Sequence, residues 1–93
     1  MANAFEMQED GTSVEVNLSR ESLKSDCVYG VVDESTKSIW LWIGKLAGVR
    51  KRFVGARTAN KMRNDLGTGF RVKSIDEGEE SPHFFSALST SEI

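Results

Sequence analysis

The sequence predicts an α+β domain in which a mixed sheet of four or five strands lies between one long helix and one short helix. Two apolar runs, residues 27–32 and 39–43, flank a short polar segment and are typical of a β-hairpin. A helical pattern over residues 49–66 follows, and a further strand and a short helix come after it. Because strands and helices do not alternate regularly, the pattern favours an α+β architecture over a doubly wound one.

Four strands can be placed directly from the order of polar and apolar residues. Residues 13–18 alternate, which predicts a strand with one solvent-exposed face. The two hairpin strands are almost continuously apolar, so both of their faces are expected to be covered, and Trp40 and Trp42 are expected to pack in the core. Residues 70–75 alternate again and predict the fourth strand.

The long helix is expected to pack on the sheet through an apolar stripe. The stripe consists of Val49, Phe53, Ala56, Ala59 and Leu66, which recur near helical spacing. Gly67 follows the helix, as expected of a C-terminal cap. Ser81 and Pro82 suit the N-cap and first position of the short helix, which is predicted over residues 83–88.

The chain length predicts a single domain with short irregular ends. Residues 1–12 are mostly polar and acidic and are interpreted as a flexible N-terminal tail, and residues 13–89 form the predicted domain. Residues 90–93 are expected to be frayed. A fifth strand would have to be short or lie within residues 18–24.

Composition and charge exclude several classes of protein. The formal net charge is −2, so the molecule as a whole is not a polycation of the kind that binds nucleic acid. One cysteine, Cys27, cannot form an internal disulfide, which fits a reducing compartment. The chain has neither an apolar run of the roughly 20 residues that a membrane span needs nor a secretory signal pattern. A cytoplasmic protein is therefore expected.

Nothing in the sequence assembles a catalytic or metal site. His83 is the one histidine, and nucleophilic catalysis and zinc binding both need further partners for such a side chain. The acidic residues at 76–80 lack the spacing of a calcium-binding EF-hand loop. We therefore expect a domain that is not an enzyme and that has no cofactor or metal ligands.

The long helix is strongly basic. Seven of the twelve lysine and arginine residues lie between Lys45 and Arg63, and the same segment has no acidic residue. This pattern is compatible with a solvated surface or with a docking face for an acidic partner. An RNA-type aromatic motif and a helix-turn-helix pattern are both missing, so nucleic acid is not expected as the partner. Electrostatic adsorption to an acidic lipid surface stays open, whereas membrane insertion is not expected.

Several short motifs occur in a fixed order along the chain. Residues 22–26 read Ser-Leu-Lys-Ser-Asp and precede an apolar strand that ends at Asp33. The next strand ends in Ile-Trp-Leu-Trp-Ile-Gly at residues 39–44, and Glu-Gly-Glu-Glu at residues 77–80 leads to a phenylalanine pair. This order resembles one repeat of the gelsolin family, the actin-severing and actin-capping proteins, over residues 14–88.

The resemblance implies a five-stranded mixed sheet and binding of actin, with the long helix docking in the cleft between two actin subdomains. Carried onto this chain, the helix residues expected to contact actin are Arg50, Val54, Arg57, Lys61, Asn64 and Asp65. A single repeat would cap or sequester actin or bind filament sides, since severing generally uses more than one binding surface. Acidic phosphoinositide lipids are a further candidate partner. The alternative is a scaffold domain of the same fold that serves a complex without actin.

One departure from the family concerns calcium. Repeats of this family commonly bind the ion with an Asp at the start of the apolar strand and a Glu early in the long helix. Asp26 matches the first position, but the second falls near Lys51. We therefore expect Lys51 to pair with Asp26 in place of the ion, and we expect actin binding to be independent of calcium.

Overall fold

Five strands form a single sheet, and each of its faces is covered by one helix. The computed structural model describes residues 2–16, 18, 20–67 and 69–90. In chain order the elements are β1 (Ala2–Met7), β2 (Ser13–Val16), a 3₁₀ turn (Arg20–Ser22), β3 (Val28–Asp33), β4 (Ser38–Ile43), α1 (Val49–Leu66), β5 (Arg71–Asp76) and α2 (Pro82–Thr90). This architecture confirms the α+β fold with a mixed sheet.

The strand order across the sheet is β2-β1-β3-β4-β5. The pairs β2–β1, β1–β3 and β3–β4 are antiparallel. The pair β4–β5 is parallel, with Ile39 opposite Val72. A parallel pair needs a crossover, because the chain must return to the same end of the sheet before the second strand begins. Helix α1 forms this crossover and therefore lies across one face of the sheet.

Alternation along the strands creates two cores. The core under α1 contains Met7, Val28, Val32, Ile39, Leu41, Ala47 and Ala59. The core under α2 contains Ala4, Leu18, Cys27, Tyr29, Val31, Trp40, Trp42, Ile75, Phe84 and Leu88. The central strands β3 and β4 contribute to both cores, which is the physical reason for their continuous apolar character. The prediction that Trp40 and Trp42 pack in the core is confirmed, and their exposed fractions are 8% and 1%.

The prediction of a flexible tail over residues 1–12 is wrong. Residues Ala2–Met7 form β1, which lies between β2 and β3 and pairs with both. Met7 is fully buried, with an exposed fraction of 0%. The fifth strand is therefore this segment, and the part of residues 18–24 that forms a regular element is a 3₁₀ turn. Residue 90 belongs to α2, and residues 91–93 of the predicted frayed end lie outside the described residues.

Local signals for turns and caps are mostly confirmed. The polar segment after β3 is a turn in which the Asp33 carboxylate accepts hydrogen bonds from the Ser35 amide and hydroxyl. Gly67 ends α1 with a φ of 111°, and its amide donates to the Arg63 carbonyl oxygen. The Ser81 hydroxyl accepts a 3.4 Å hydrogen bond from the Phe84 amide, as expected of an N-cap.

Candidate binding face

Helix α1 presents large apolar side chains to solvent, and this is the most unusual feature of the surface. Val49 and Phe53 have exposed fractions of 82% and 66%, and Leu46, in the turn that leads into the helix, has an exposed fraction of 76%. Val49 and Phe53 are four residues apart and therefore share one face of the helix. We call these three residues the apolar anchor. Folding of the domain leaves their apolar surface in water.

The expected apolar stripe of α1 is correspondingly wrong for three of its five members. Val49, Phe53 and Leu66 are exposed, whereas Ala59 is buried and Ala56 is partly buried. The inward face is instead formed by small residues, because Gly55 lets the helix approach β3 closely. A Cβ atom at Gly55 would lie 2.9 Å from Val28 Cγ1, which is closer than side chains normally approach.

Three cations lie on the solvent side of α1. Arg50, Arg57 and Lys61 are all exposed. They line one side of an open groove of about 490 Å³, and Glu9, Asp10 and Gly11 of the turn after β1 line the other side. Val54, which is partly buried, and Thr58, which is buried, form the rest of the groove. The Thr58 hydroxyl lies 2.9 Å from the Val54 carbonyl oxygen and 3.4 Å from that of Gly11.

The structure places all six residues of the predicted actin-contacting set on α1. Four of them, Arg50, Val54, Arg57 and Lys61, line the groove. Asn64 lines a separate shallow depression near the C-terminal end of the helix, and Asp65 is exposed. The prediction omitted the apolar anchor because Val49 and Phe53 had been assigned to the core. The i, i+4, i+7 spacing of Gly55, Ala59 and Met62 is the signal that would have identified the inward face of α1.

The loop before α1 is fixed to the start of β3 by backbone hydrogen bonds. The Gly44 amide donates to the Cys27 carbonyl oxygen over 3.1 Å, and the Leu46 amide donates to the Ser25 carbonyl oxygen over 2.8 Å. A Cβ atom at Gly44 would collide with the Ser25 carbonyl, so this close approach requires glycine. Leu46, one member of the apolar anchor, is therefore held by its own backbone.

Glu77, in the turn after β5, adds a side-chain bridge to the same loop. One carboxylate oxygen accepts from the Lys45 amide over 2.9 Å, and the other accepts from the Ser25 hydroxyl over 2.8 Å. These hydrogen bonds, with that from the Lys45 amide the largest cause, hold the pKa of Glu77 below its usual value. Glu77 is thus expected to be ionised whenever the domain is at neutral pH.

Lys51 contacts Asp26, but the predicted pairing with its carboxylate is not formed. Its Nζ donates to the backbone carbonyl oxygen of Asp26 over 3.2 Å. The described residues contain no group of three acidic, histidine or cysteine side chains that could hold a metal ion. Calcium requires six to eight oxygen ligands. A position that has an ammonium group against one of the available oxygens therefore does not fit that ion.

Among the described residues, the interior polar groups differ in their hydrogen bonding, and Trp40 Nε1 is buried without a hydrogen-bond partner. The Trp42 indole N–H donates to the Glu80 carboxylate over 2.8 Å. Burial raises the pKa of the Cys27 thiol, and burial likewise raises the pKa of Tyr29. Neither group is activated as a nucleophile, because both are held in their protonated forms.

Comparison with solved structures identifies the family. The chain is 30% identical to Thorarchaeota ProGel, solved in a complex with rabbit actin, with a TM-score of 0.87 over 95% of this chain and 99% of that chain. The chain belongs to the gelsolin-like family. Thorarchaeota 2DGel3, also solved in a complex with rabbit actin, is 31% identical with a TM-score of 0.77. This second match covers 92% of the chain but 44% of 2DGel3, so the chain corresponds to part of that protein.

Two further searches and one structural criterion gave negative results. No protein-family model matches the sequence, and no curated protein matches it. Within the part of the chain that the structure describes, neither helix is long and apolar enough to cross a bilayer.

Proposed function

We propose that this gelsolin-like domain binds actin through the outward face of α1. The observation that carries the proposal is the apolar anchor, formed by Leu46, Val49 and Phe53. Both similar structures, ProGel and 2DGel3, were solved in complexes with actin, which supports actin as the partner. No enzymatic step is proposed, and the domain acts by occupying a surface of its partner.

The exposure of the anchor supports a helix-in-groove mode of binding. Amphipathic helices that dock into apolar grooves present anchors at positions i, i+3 or i+4 and i+7. Val49 and Phe53 have the i, i+4 spacing, Leu46 lies in the turn just before the helix, and each of the three exposes more than half of its side chain. Large apolar groups that remain in water mark interaction sites, because burying them in a partner is favourable.

The charge of the helix supports an acidic partner. Arg50, Arg57 and Lys61 are exposed on the same helix as Val49 and Phe53, and no described acidic side chain forms an ion pair with them. Cations at the rim of an interface contribute more to the association rate than to the final affinity. We therefore propose that the anchor supplies most of the binding free energy, and that the three cations speed association and orient the partner.

The expected mode of action is monomer sequestering, capping or binding to the side of a filament, without calcium. A single docking helix supplies one contact surface, so severing is not expected of the isolated domain. A cytoplasmic, cytoskeleton-associated location follows if actin is the partner.

The test is polymerisation of pyrene-labelled actin with the purified domain, in calcium and again in EGTA. We expect equal inhibition in both conditions. Phe53→Ala is expected to weaken binding about ten- to a hundredfold, because a fully buried Phe side chain contributes about 1.5–3 kcal/mol. Val14→Ala is the matched control, because Val14 is 51% exposed but lies on β2, away from α1. Equal effects of the two substitutions would contradict docking through α1.

Charge reversal separates the actin proposal from the alternatives. Arg57→Glu combined with Lys61→Glu should slow association with actin and weaken binding in a salt-dependent manner. It should leave a scaffold role in a complex without actin unchanged if that role uses another face. Acidic phosphoinositide lipids are a second candidate partner, supported by the three cations at one groove. Salt-sensitive binding to phosphoinositide-containing liposomes, lost on the same charge reversal, would support that role.

A further inference from the structure

We propose that the ammonium group of Lys51 is a resident cation that fixes the N-terminal end of the actin-binding face, so that this face is preorganised without calcium. The inference rests on the proposed function for its biological meaning. Its structural content, a metal-free clamp between α1 and the start of β3, can be tested on the domain alone.

The clamp consists of contacts made by protein atoms on both sides. Lys51 Nζ donates to the Asp26 carbonyl oxygen over 3.2 Å, from the first turn of α1 to the segment before β3. The Leu46 amide donates to the neighbouring Ser25 carbonyl oxygen over 2.8 Å. The segment that carries Leu46 and Val49 is therefore fixed at both ends to the same short stretch of chain.

The charges around the clamp oppose a divalent ion. Asp26 supplies a single carboxylate, and its backbone oxygen already accepts from an ammonium group. Bringing in Ca²⁺ at this carbonyl oxygen would have to displace the ammonium group or place a second positive charge beside it. The helix also has no acidic residue in its first turn that could serve as a ligand.

Preorganisation explains why the clamp matters for binding. Ordering a loop during association costs free energy that reduces affinity, whereas a loop that is already fixed avoids this cost. In a metal-dependent domain the ion would supply this order and binding would follow its concentration. In this chain, hydrogen bonds between protein atoms hold the loop in place. The affinity for actin is therefore expected to be the same at all calcium concentrations.

The first experiment is thermal unfolding of the wild-type domain in calcium and in EGTA. Ligands that bind the folded state raise Tm in a concentration-dependent manner. We expect the two Tm values to coincide. A Tm that rises and saturates with added calcium would overturn the proposal, because it would reveal a metal site in this domain.

Substitutions at Lys51 provide the sharper test. Lys51→Met removes the ammonium group and keeps the length of the side chain, and we expect it to lower Tm by about 2–4 °C. Lys51→Arg keeps a cation and should preserve Tm. Lys61→Met is the matched control, because Lys61 is an exposed lysine on the same helix, ten residues beyond Lys51. Equal Tm values for Lys51→Met and Lys61→Met would overturn the clamp.

Lys51→Glu tests whether the cation occupies the place of an ion. This substitution puts a second carboxylate beside Asp26, so Tm should fall in EGTA and rise again when calcium is added. Lys51→Met should not respond to calcium. If calcium fails to raise the Tm of Lys51→Glu above that of Lys51→Met, the assignment of Lys51 as a substitute for the ion is wrong.

The clamp and the proposed function can be contradicted separately by these measurements. Unfolding of the isolated domain reports on the clamp whether or not actin is the partner. Conversely, weaker actin binding by Phe53→Ala would support docking through α1 whether or not Lys51 fixes the loop before the helix. A domain with a calcium-insensitive Tm and no actin binding would keep the clamp and reject the actin proposal.

Discussion

At the scale of single residues, Gly55 determines how α1 meets the sheet. An interior glycine costs an isolated helix about 1 kcal/mol relative to alanine. In this fold the missing side chain lets α1 approach Val28 and Met7, and Gly55, Ala59 and Met62 follow one another at i, i+4 and i+7 along the inward face. With Gly55, Ala59 and Met62 on the inward face, Val49 and Phe53 are left on the exposed side of the helix.

Cys27 and Tyr29 are two groups whose protonation is linked to folding. Both lie in the core under α2, and desolvation disfavours their charged forms. The pKa of each is raised in the folded state above its ordinary value, which is 9.0 for the thiol and 10.0 for the phenol. Both groups therefore stay protonated in the native domain over the physiological range.

The consequence is a loss of stability in alkaline solution. A group whose pKa is raised by folding stabilises the native state fully below its unfolded pKa, and this contribution is lost as pH rises toward the folded pKa. We expect Tm to be flat around neutral pH and to fall above about pH 9. Cys27→Ala removes one of the two groups, so its Tm should fall less steeply over the same range. A steeper fall in Cys27→Ala than in the wild type would contradict this assignment.

At the scale of elements, the sequence predicted well where the signal is local. The hairpin strands, the bounds of α1 and the turn after β3 follow from runs of apolar residues, glycine at the helix end and a polar turn. These features do not depend on distant parts of the chain. The side of α1 that meets the sheet was predicted wrongly, because apolar residues occur on both faces and the decisive contact, Gly55 against Val28, is tertiary.

Strand β1 shows the other limit of sequence reasoning. Its apolar members are interrupted by Asn3 and Glu6, and two of its residues are alanine, so the segment has no strong periodicity of its own. Its stability comes from pairing with strands on both sides, namely Ala4 with Val31 of β3 and with Val16 of β2. Such cross-strand pairing cannot be read from the segment in isolation.

A core substitution in β1 tests this placement. Met7→Ala should lower the free energy of unfolding by about 2–4 kcal/mol, because it removes a fully buried side chain and leaves a cavity. Its Cε atom also lies over Gly30 of β3, so the contact between the two strands is lost. Chemical denaturation monitored by tryptophan fluorescence provides the measurement. Glu9→Ala, at an exposed position in the following turn, is the control, and equal stabilities for the two variants would restore the interpretation of a flexible tail.

At the scale of the whole molecule, charge is distributed unevenly over a small body. The domain carries a formal net charge of −2, yet seven of its twelve basic residues lie in and just before α1. An acidic partner would therefore be attracted to this helix and repelled by much of the remaining surface. Such an arrangement orients a partner before contact, and its effect on the association rate falls with ionic strength.

Size and the single outward helix together predict a complex with one actin molecule. The domain extends only 31 × 28 × 21 Å, and the apolar anchor occupies one end of one helix. Bridging two actin subunits requires two contact surfaces, so we expect a 1:1 complex in sedimentation velocity and no shortening of preformed filaments in fluorescence microscopy. Phe53→Ala should raise the concentration of domain needed to shift the actin peak about ten- to a hundredfold. Two actin molecules bound per domain, or filament shortening by the wild-type domain, would show that a second surface takes part.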